Sequence, residues 1–159
     1  FVSTSGGDAK NGDVNDDGYA EGFGQVWAYR PGRHGGDGGT LVLVYESPSG
    51  AECDSPDNLT VTPRGGLMAC EDDASSAFED THPLAPGITN VNRVIGLTQR
   101  GEAFEFAVNV LNGSELAGAC FSPSGKTLFF NLFGRARFDE DPVEGMTCAV
   151  TGPWHRGPL

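Results

Sequence analysis

Residues 55–73 read S-P-D-N-L-T-V-T-P-R-G-G-L-M-A-C-E-D-D, a β-hairpin with acidic groups at both ends. Leu59 to Thr62 alternates apolar and hydroxyl side chains, the pattern of a half-buried strand. Pro63-Arg64-Gly65-Gly66 is a turn, in which Pro sets φ and Gly supplies a positive φ. Leu67 to Cys70 is the return strand. A hairpin brings its two ends together, so Asp57 and Glu71 are expected at one pole of a sheet. Carboxylates gathered there repel unless a cation neutralises them. The alternative is a solvated acidic turn.

The hairpin occurs twice. Phe121-Ser122-Pro123-Ser124-Gly125 repeats Val61-Thr62-Pro63-Arg64-Gly65, and a short apolar strand follows each, Leu67 to Cys70 and Leu128 to Phe130. A second pair also repeats. Gly24-Gln25-Val26-Trp27-Ala28-Tyr29 resembles Asn92-Arg93-Val94-Ile95-Gly96-Leu97, and each leads through a turn to another strand, Leu41 to Tyr45 and Ala103 to Ala107. The unit is four short strands, which is the pattern of propeller blades. Two strands, then four, then three are expected in blade order, about two and a half blades. The fold class is therefore all-β, a single partial propeller domain over residues 1–159.

Composition supports strands over helices. Gly contributes 24 and Pro 10 of the 159 residues, and ten Phe, two Trp and three Tyr provide material for a core. The formal charge of −12 argues against nucleic acid, whose phosphates need basic surfaces. No apolar run approaches the length of a membrane-spanning helix. Phe1 to Ser5 reads as the middle of a strand, so upstream blades are expected outside this chain. Those blades, or another chain, are the expected partner that completes the propeller. Cys53, Cys70, Cys120 and Cys148 allow three disulfide pairings. Cys70 and Cys120 sit in strand patterns and read as buried free thiols. Without a CxxC pair, a structural zinc site is not indicated.

Three further stretches bear on metal binding. Asp13-Val14-Asn15-Asp16-Asp17-Gly18 matches the opening of a calcium loop, with oxygens at alternate positions (Asp13, Asn15, Asp17) and Gly18 at the sharp turn. Glu21 holds the ninth position. Gly24 holds the twelfth, where an EF-hand needs a bidentate Glu, so the expectation is a looser calcium loop or a solvated one. Glu115, in N-V-L-N-G-S-E-L (109–116), precedes the second hairpin and is expected beside the Asp57 pole, one blade further round. His34, alone among glycines, is read as solvated. Asn58-Leu59-Thr60 and Asn112-Gly113-Ser114 are glycosylation sequons, the first discounted because it starts a strand.

The hairpin P-D-N-L-T-V-T-P-R-G-G-L-M-A-C-E-D (56–72), the stretch S-E-L-A-G-A-C-F-S-P-S-G-K-T-L-F-F-N-L (114–132) and T-C-A-V-T-G-P-W (147–154) resemble the PhoX-type alkaline phosphatase family. F-V-S-T-S-G-G-D and G-Q-V-W-A-Y are similar to its preceding blade. The resemblance implies the C-terminal part of a six-bladed propeller. It implies a cluster of calcium and ferric iron at the central channel, hydrolysis of phosphate monoesters, and export in the folded state by the twin-arginine route. The location implied is extracytoplasmic, or an organellar lumen in an alga. Glu71 matches one acidic motif expected at the metals and Glu115 the second. Asp57 and Asn58 match the P-D-N motif, with either a ligand role or a role at the blade entry. Both Glu71 and Glu115 are expected to face one axis. A non-catalytic propeller subunit or interaction module of the same family is the alternative reading.

Overall fold

The computed structural model describes residues 1–4, 23–32, 38–72, 81–89, 91–134, 145–157 and 159. The described residues form ten strands. They are β1 (Val2–Thr4), β2 (Gln25–Pro31), β3 (Gly39–Glu46), β4 (Pro56–Val61), β5 (Leu67–Glu71), β6 (Arg93–Leu97), β7 (Ala103–Val108), β8 (Leu116–Phe121), β9 (Thr127–Leu132) and β10 (Met146–Thr151). They make three antiparallel meanders, ordered β1-β2-β3, β4-β5-β6-β7 and β8-β9-β10. The all-β class and the partial-propeller arrangement are thus as expected. The first sheet has three strands where the expected order allowed two, because Val2–Thr4 pairs with Gln25–Trp27.

The repeated hairpins close with the same turn. The Gly65 N–H donates to the Thr62 carbonyl at 2.9 Å, and the Gly125 N–H to the Ser122 carbonyl at 2.8 Å. Both glycines have positive φ (88° and 66°), which a side chain resists. The Thr98–Gly101 turn between β6 and β7 repeats the contact at 3.0 Å.

Strand alternation sends each face of the middle sheet to a different neighbour. Leu67, Ala69, Ile95 and Leu97 join Val26, Tyr45 and Cys53 of the first sheet and its exit loop. Met68, Cys70 and Val94 join Leu116, Leu128, Phe130 and Leu132 of the third. The middle sheet is therefore buried on both faces, and β5 and β6 are buried at every position. Gly96 has no side chain because the Phe104 ring lies across it; a Cβ would come within 2.5 Å of that ring.

The four cysteines are free thiols. Cys70 is buried as expected, and burial pushes its thiol up to about 12. Cys120 is exposed, contrary to expectation. A register shift between Ala117 and Cys120 turns Ala119 inward in its place. No helix among the described residues is long and apolar enough to cross a membrane.

Candidate metal-binding pole

The entry of β4 is tied to both neighbouring sheets. Ser3 Oγ donates to the Asp57 carbonyl from β1. Across the other interface the Gly118 N–H of β8 donates to Asn58 Oδ1 at 2.8 Å, and Asn58 Nδ2 donates to the Asp57 carboxylate. Asn58 thus acts as a strut between the middle and third sheets, and it is half-buried. The end of β5 returns to the same place, since Pro56 pairs with Glu71. The Asp72 N–H donates to the Ser55 carbonyl at 3.0 Å. Ser55 has φ 48°, a left-handed conformation unusual for a residue with a side chain.

The two acidic residues that end the hairpin face opposite ways. Glu71 continues the Leu67–Ala69 face and points toward the first sheet. It is fully buried, and Arg93 grips it with two charge-assisted bonds, Nε to Oε2 at 2.8 Å and Nη2 to Oε1 at 2.7 Å. Oε1 also accepts the Asp54 N–H at 2.8 Å. Arg93 directs its remaining donors to the carbonyls of Gly50 (2.6 Å) and Ala51 (2.7 Å). The pair therefore pins the 50–54 crossover loop to the middle sheet. Burial pushes the Glu71 carboxyl up to about 7, while Arg93 and the Asp54 N–H pull it back. Further along, Glu105 stands 3.9 Å from Arg93 Nη1 and 2.9 Å from His82 Nε2.

Asp72 follows Met68 and Cys70 on the other face and meets Glu115, which enters β8. Glu115 is pushed up to about 7, first by burial, then by the charge of Asp72, a hydrogen bond with Asp72, and the charge of Asp57. The structure thus brings Asp72 and Glu115 into contact at one pole, with Asp57 near enough for its charge to act on Glu115. Glu71 lies at that pole too, but its carboxylate is turned away to Arg93, so the expected shared axis of Glu71 and Glu115 is not formed by their side chains. Asp72 does not stand out in the sequence, although a signal for it is there: it is two residues beyond Cys70 and therefore on the opposite face from Glu71.

Carboxylates are the hard oxygen donors that calcium and ferric iron take. The chemistry of the Asp57, Asp72 and Glu115 set fits such a cation. The number does not fill a shell, for calcium takes about six to eight oxygens. Among the described residues no three His, Cys, Asp or Glu side chains are close enough to hold a metal between them. Asp13, Asn15 and Asp17 lie outside the described residues, as do His34 and 135–144.

A family model described as alkaline phosphatase PhoX matches residues 1–134. No curated protein and no solved structure matches the chain.

Proposed function

Because the chain belongs to the alkaline phosphatase PhoX family, we propose that it is part of a metal-dependent phosphomonoesterase, and that Glu115, with Asp72 and Asp57, is its contribution to a calcium and ferric iron site. The observation that carries the site assignment is the hydrogen-bonded contact of Glu115 with Asp72, beside the charge of Asp57. Burial and these two anionic neighbours disfavour its charge, and a bound cation would reverse the neighbours' share of that penalty. Glu71 is the weaker candidate of the two glutamates, since the guanidinium already in contact with both its oxygens opposes a second cation. We assign it the role of holding the crossover loop that sets Asp54 to Asp57 against Asp72.

Bound cations would neutralise charge on the phosphoryl oxygens of a monoester. What this chain's residues do is supply negative charge at one pole and keep it fixed. Asn58 and the Ser3 hydroxyl hold the β4 entry, and the Asp72 N–H holds the crossover. The remaining donors would come from a segment completing the propeller, and the Asp13, Asn15 and Asp17 stretch is proposed as a separate, looser calcium loop. We place the working protein outside the cytoplasm on the same family grounds.

A second reading has one observation in its favour. Glu71, which matches an acidic motif of the family, serves a buried ion pair, as it would in a propeller that binds a partner and catalyses nothing. Phosphate release from p-nitrophenyl phosphate by the protein, with added calcium and ferric iron and with chelator, separates the two. Metal-dependent release that Glu115→Gln abolishes supports the phosphatase. Calcium binding without any release supports the second reading, and no binding of either metal removes the site.

A further inference from the structure

The meanders send their connections to two opposite poles. The turns 62–66, 98–101 and 122–126 and the segment after β10 lie at one, and the crossovers next to Asp57, Asp72 and Glu115 lie at the other. The turn pole is one continuous surface. Arg64 Nη1 donates to the His155 carbonyl at 3.0 Å, and Gln99 Nε2 donates to the Arg64 carbonyl. Gly125 packs on Pro63 and His155, so closely that a Cβ would lie 3.1 Å from the Pro63 ring.

Charge is divided between the poles. Among the described residues are six Lys and Arg, and one of them, Arg93, is buried in its pair with Glu71. The other five are exposed and stand at the turn pole: Arg64, Arg100, Lys126 and Arg156 on the joined segments, and Arg30 at that end of β2. None of the five has an ion-pair partner among the described residues. Of the nine Asp and Glu among the described residues, Glu102 alone is at this pole, where it accepts a bond from Thr98 Oγ1. A chain of formal charge −12 thus carries a local excess of positive charge. A strand of five or six residues spans about 17–20 Å. At about 0.15 M salt, exposed charges are screened beyond about 8 Å. The acidic pole therefore does not cancel the field at the turns.

We propose that the turn pole is an electrostatic docking surface for an anionic lipid bilayer, on which the chain sits with its acidic pole facing away. The cations stand on separate turn tips of neighbouring sheets, and packed sheets lie about 10 Å apart. They therefore cover an area, which a plane of headgroup phosphates meets at every point and a single acidic thread meets along one line. Among the described residues of the joined turns, 62–66, 98–101, 122–126 and 152–157, no large apolar side chain is exposed. Adsorption is then by charge without insertion, the mode of basic clusters at anionic leaflets. Pro63, Pro123 and Pro153 stiffen the tips that carry Arg64, Lys126 and Arg156, so little order is lost on contact. This surface is independent of the metal chemistry proposed above.

The test is co-sedimentation of the 159-residue chain with vesicles of equal parts phosphatidylcholine and phosphatidylglycerol, against phosphatidylcholine alone. The expected result is binding to the anionic vesicles that weakens as salt rises, and none to the neutral ones. Each basic side chain near such a surface contributes about five-fold to partitioning, so Arg100→Gln with Lys126→Gln should weaken binding roughly 25-fold. Val110→Glu with Leu111→Glu lowers the net charge equally at the opposite pole and should bind like the wild type. Bound wild-type chain should also shield Lys126 from an amine-reactive reagent, a readout that needs no variant. Equal binding to both kinds of vesicle, an equal loss in the two double variants, or Lys126 labelling at one rate on and off the vesicle overturns the proposal. So does an absence of binding at low salt. Binding to dextran sulfate without binding to anionic vesicles overturns it as well, in favour of a soluble acidic polymer.

Discussion

Glu71 and Glu115 lie at the same end of neighbouring sheets, and their surroundings are opposite. Glu71 has no exposure, a bidentate cation and a backbone donor. Glu115 is half-buried, and the charges that act on it are those of Asp72 and Asp57. Both carboxyls are pushed up to about 7 chiefly by burial, and the charges beside them act in opposite senses. At Glu71 burial, the leading cause, raises it against the pull of Arg93. At Glu115 burial and the repulsion of Asp72 and Asp57 act together. An acid satisfied by its own protein contributes to the fold, whereas an acid opposed by its neighbours costs stability that a proton or a bound cation returns. The difference between the two is therefore a difference between structure and candidate function.

The largest expected effect breaks the first of these environments. Arg93→Ala leaves Glu71 buried without its partner and also orphans the Gly50 and Ala51 carbonyls. A loss of about 3–5 kcal/mol is expected, the range for removing one member of a buried pair. Urea unfolding at pH 8 measures it. A loss below about 1 kcal/mol would show that the pair is not buried as described.

Glu115→Gln should behave in the reverse sense. It removes repulsion, so stability in chelator should hold or rise. Under the proposed function, phosphomonoesterase activity should fall on the order of 100-fold, the scale of one electrostatic contact to a transition state. A variant with unchanged activity and unchanged calcium affinity would place Glu115 among ordinary surface acids.

The pH dependence sharpens the comparison. A carboxyl whose folded pKa is about 7 and whose unfolded value is 4.5 binds its proton more tightly in the folded state. Its stabilising contribution is complete below the unfolded value and is lost as pH rises to about 7. Glu71 acts in the same direction and window, so the wild-type slope contains both. Asp72→Asn removes the leading charge at Glu115 and leaves Glu71 alone. Its urea midpoint should fall less steeply between pH 4.5 and 7 than that of the wild type. Parallel curves for the two proteins would show that Asp72 and Glu115 do not interact. Calcium should flatten the wild-type curve and leave that of Asp72→Asn nearly unmoved.

The smallest expected effect is at the crossover that serves both environments. Ser55→Gly relieves a left-handed backbone worth about 1 kcal/mol and loses the bond from Ser55 Oγ to Asp54 Oδ1 at 2.9 Å. A net change within about 1 kcal/mol is expected, read as a small shift in the urea midpoint.

Much of this molecule is legible in its sequence. The hairpin at 55–73, its copy at 121–130, and the paired strands that follow are set by Pro and Gly at turn positions and by alternation over four to six residues, all of which are local. The acidic character of the pole is legible for the same reason, since a hairpin must return its end to its start. The sequence alone does not say which of Glu71 and Asp72 looks outward. Alternation requires that they face opposite ways, but the choice depends on which neighbouring sheet each face of β5 covers. Arg93, which claims Glu71, comes from the next strand, 22 residues on, and reads in the sequence as one more position of a repeat. The exposure of Cys120 is hidden in the sequence because a bulge in β8 breaks the alternation on which the expectation of burial rests. Likewise the edge of β10 that is unpaired among the described residues shows only once the strands are assembled into sheets, because pairing is not written in a single strand. Local chemistry decided the elements and their turns; the pairing of charges and the covering of faces were decided by contacts between strands far apart in the chain.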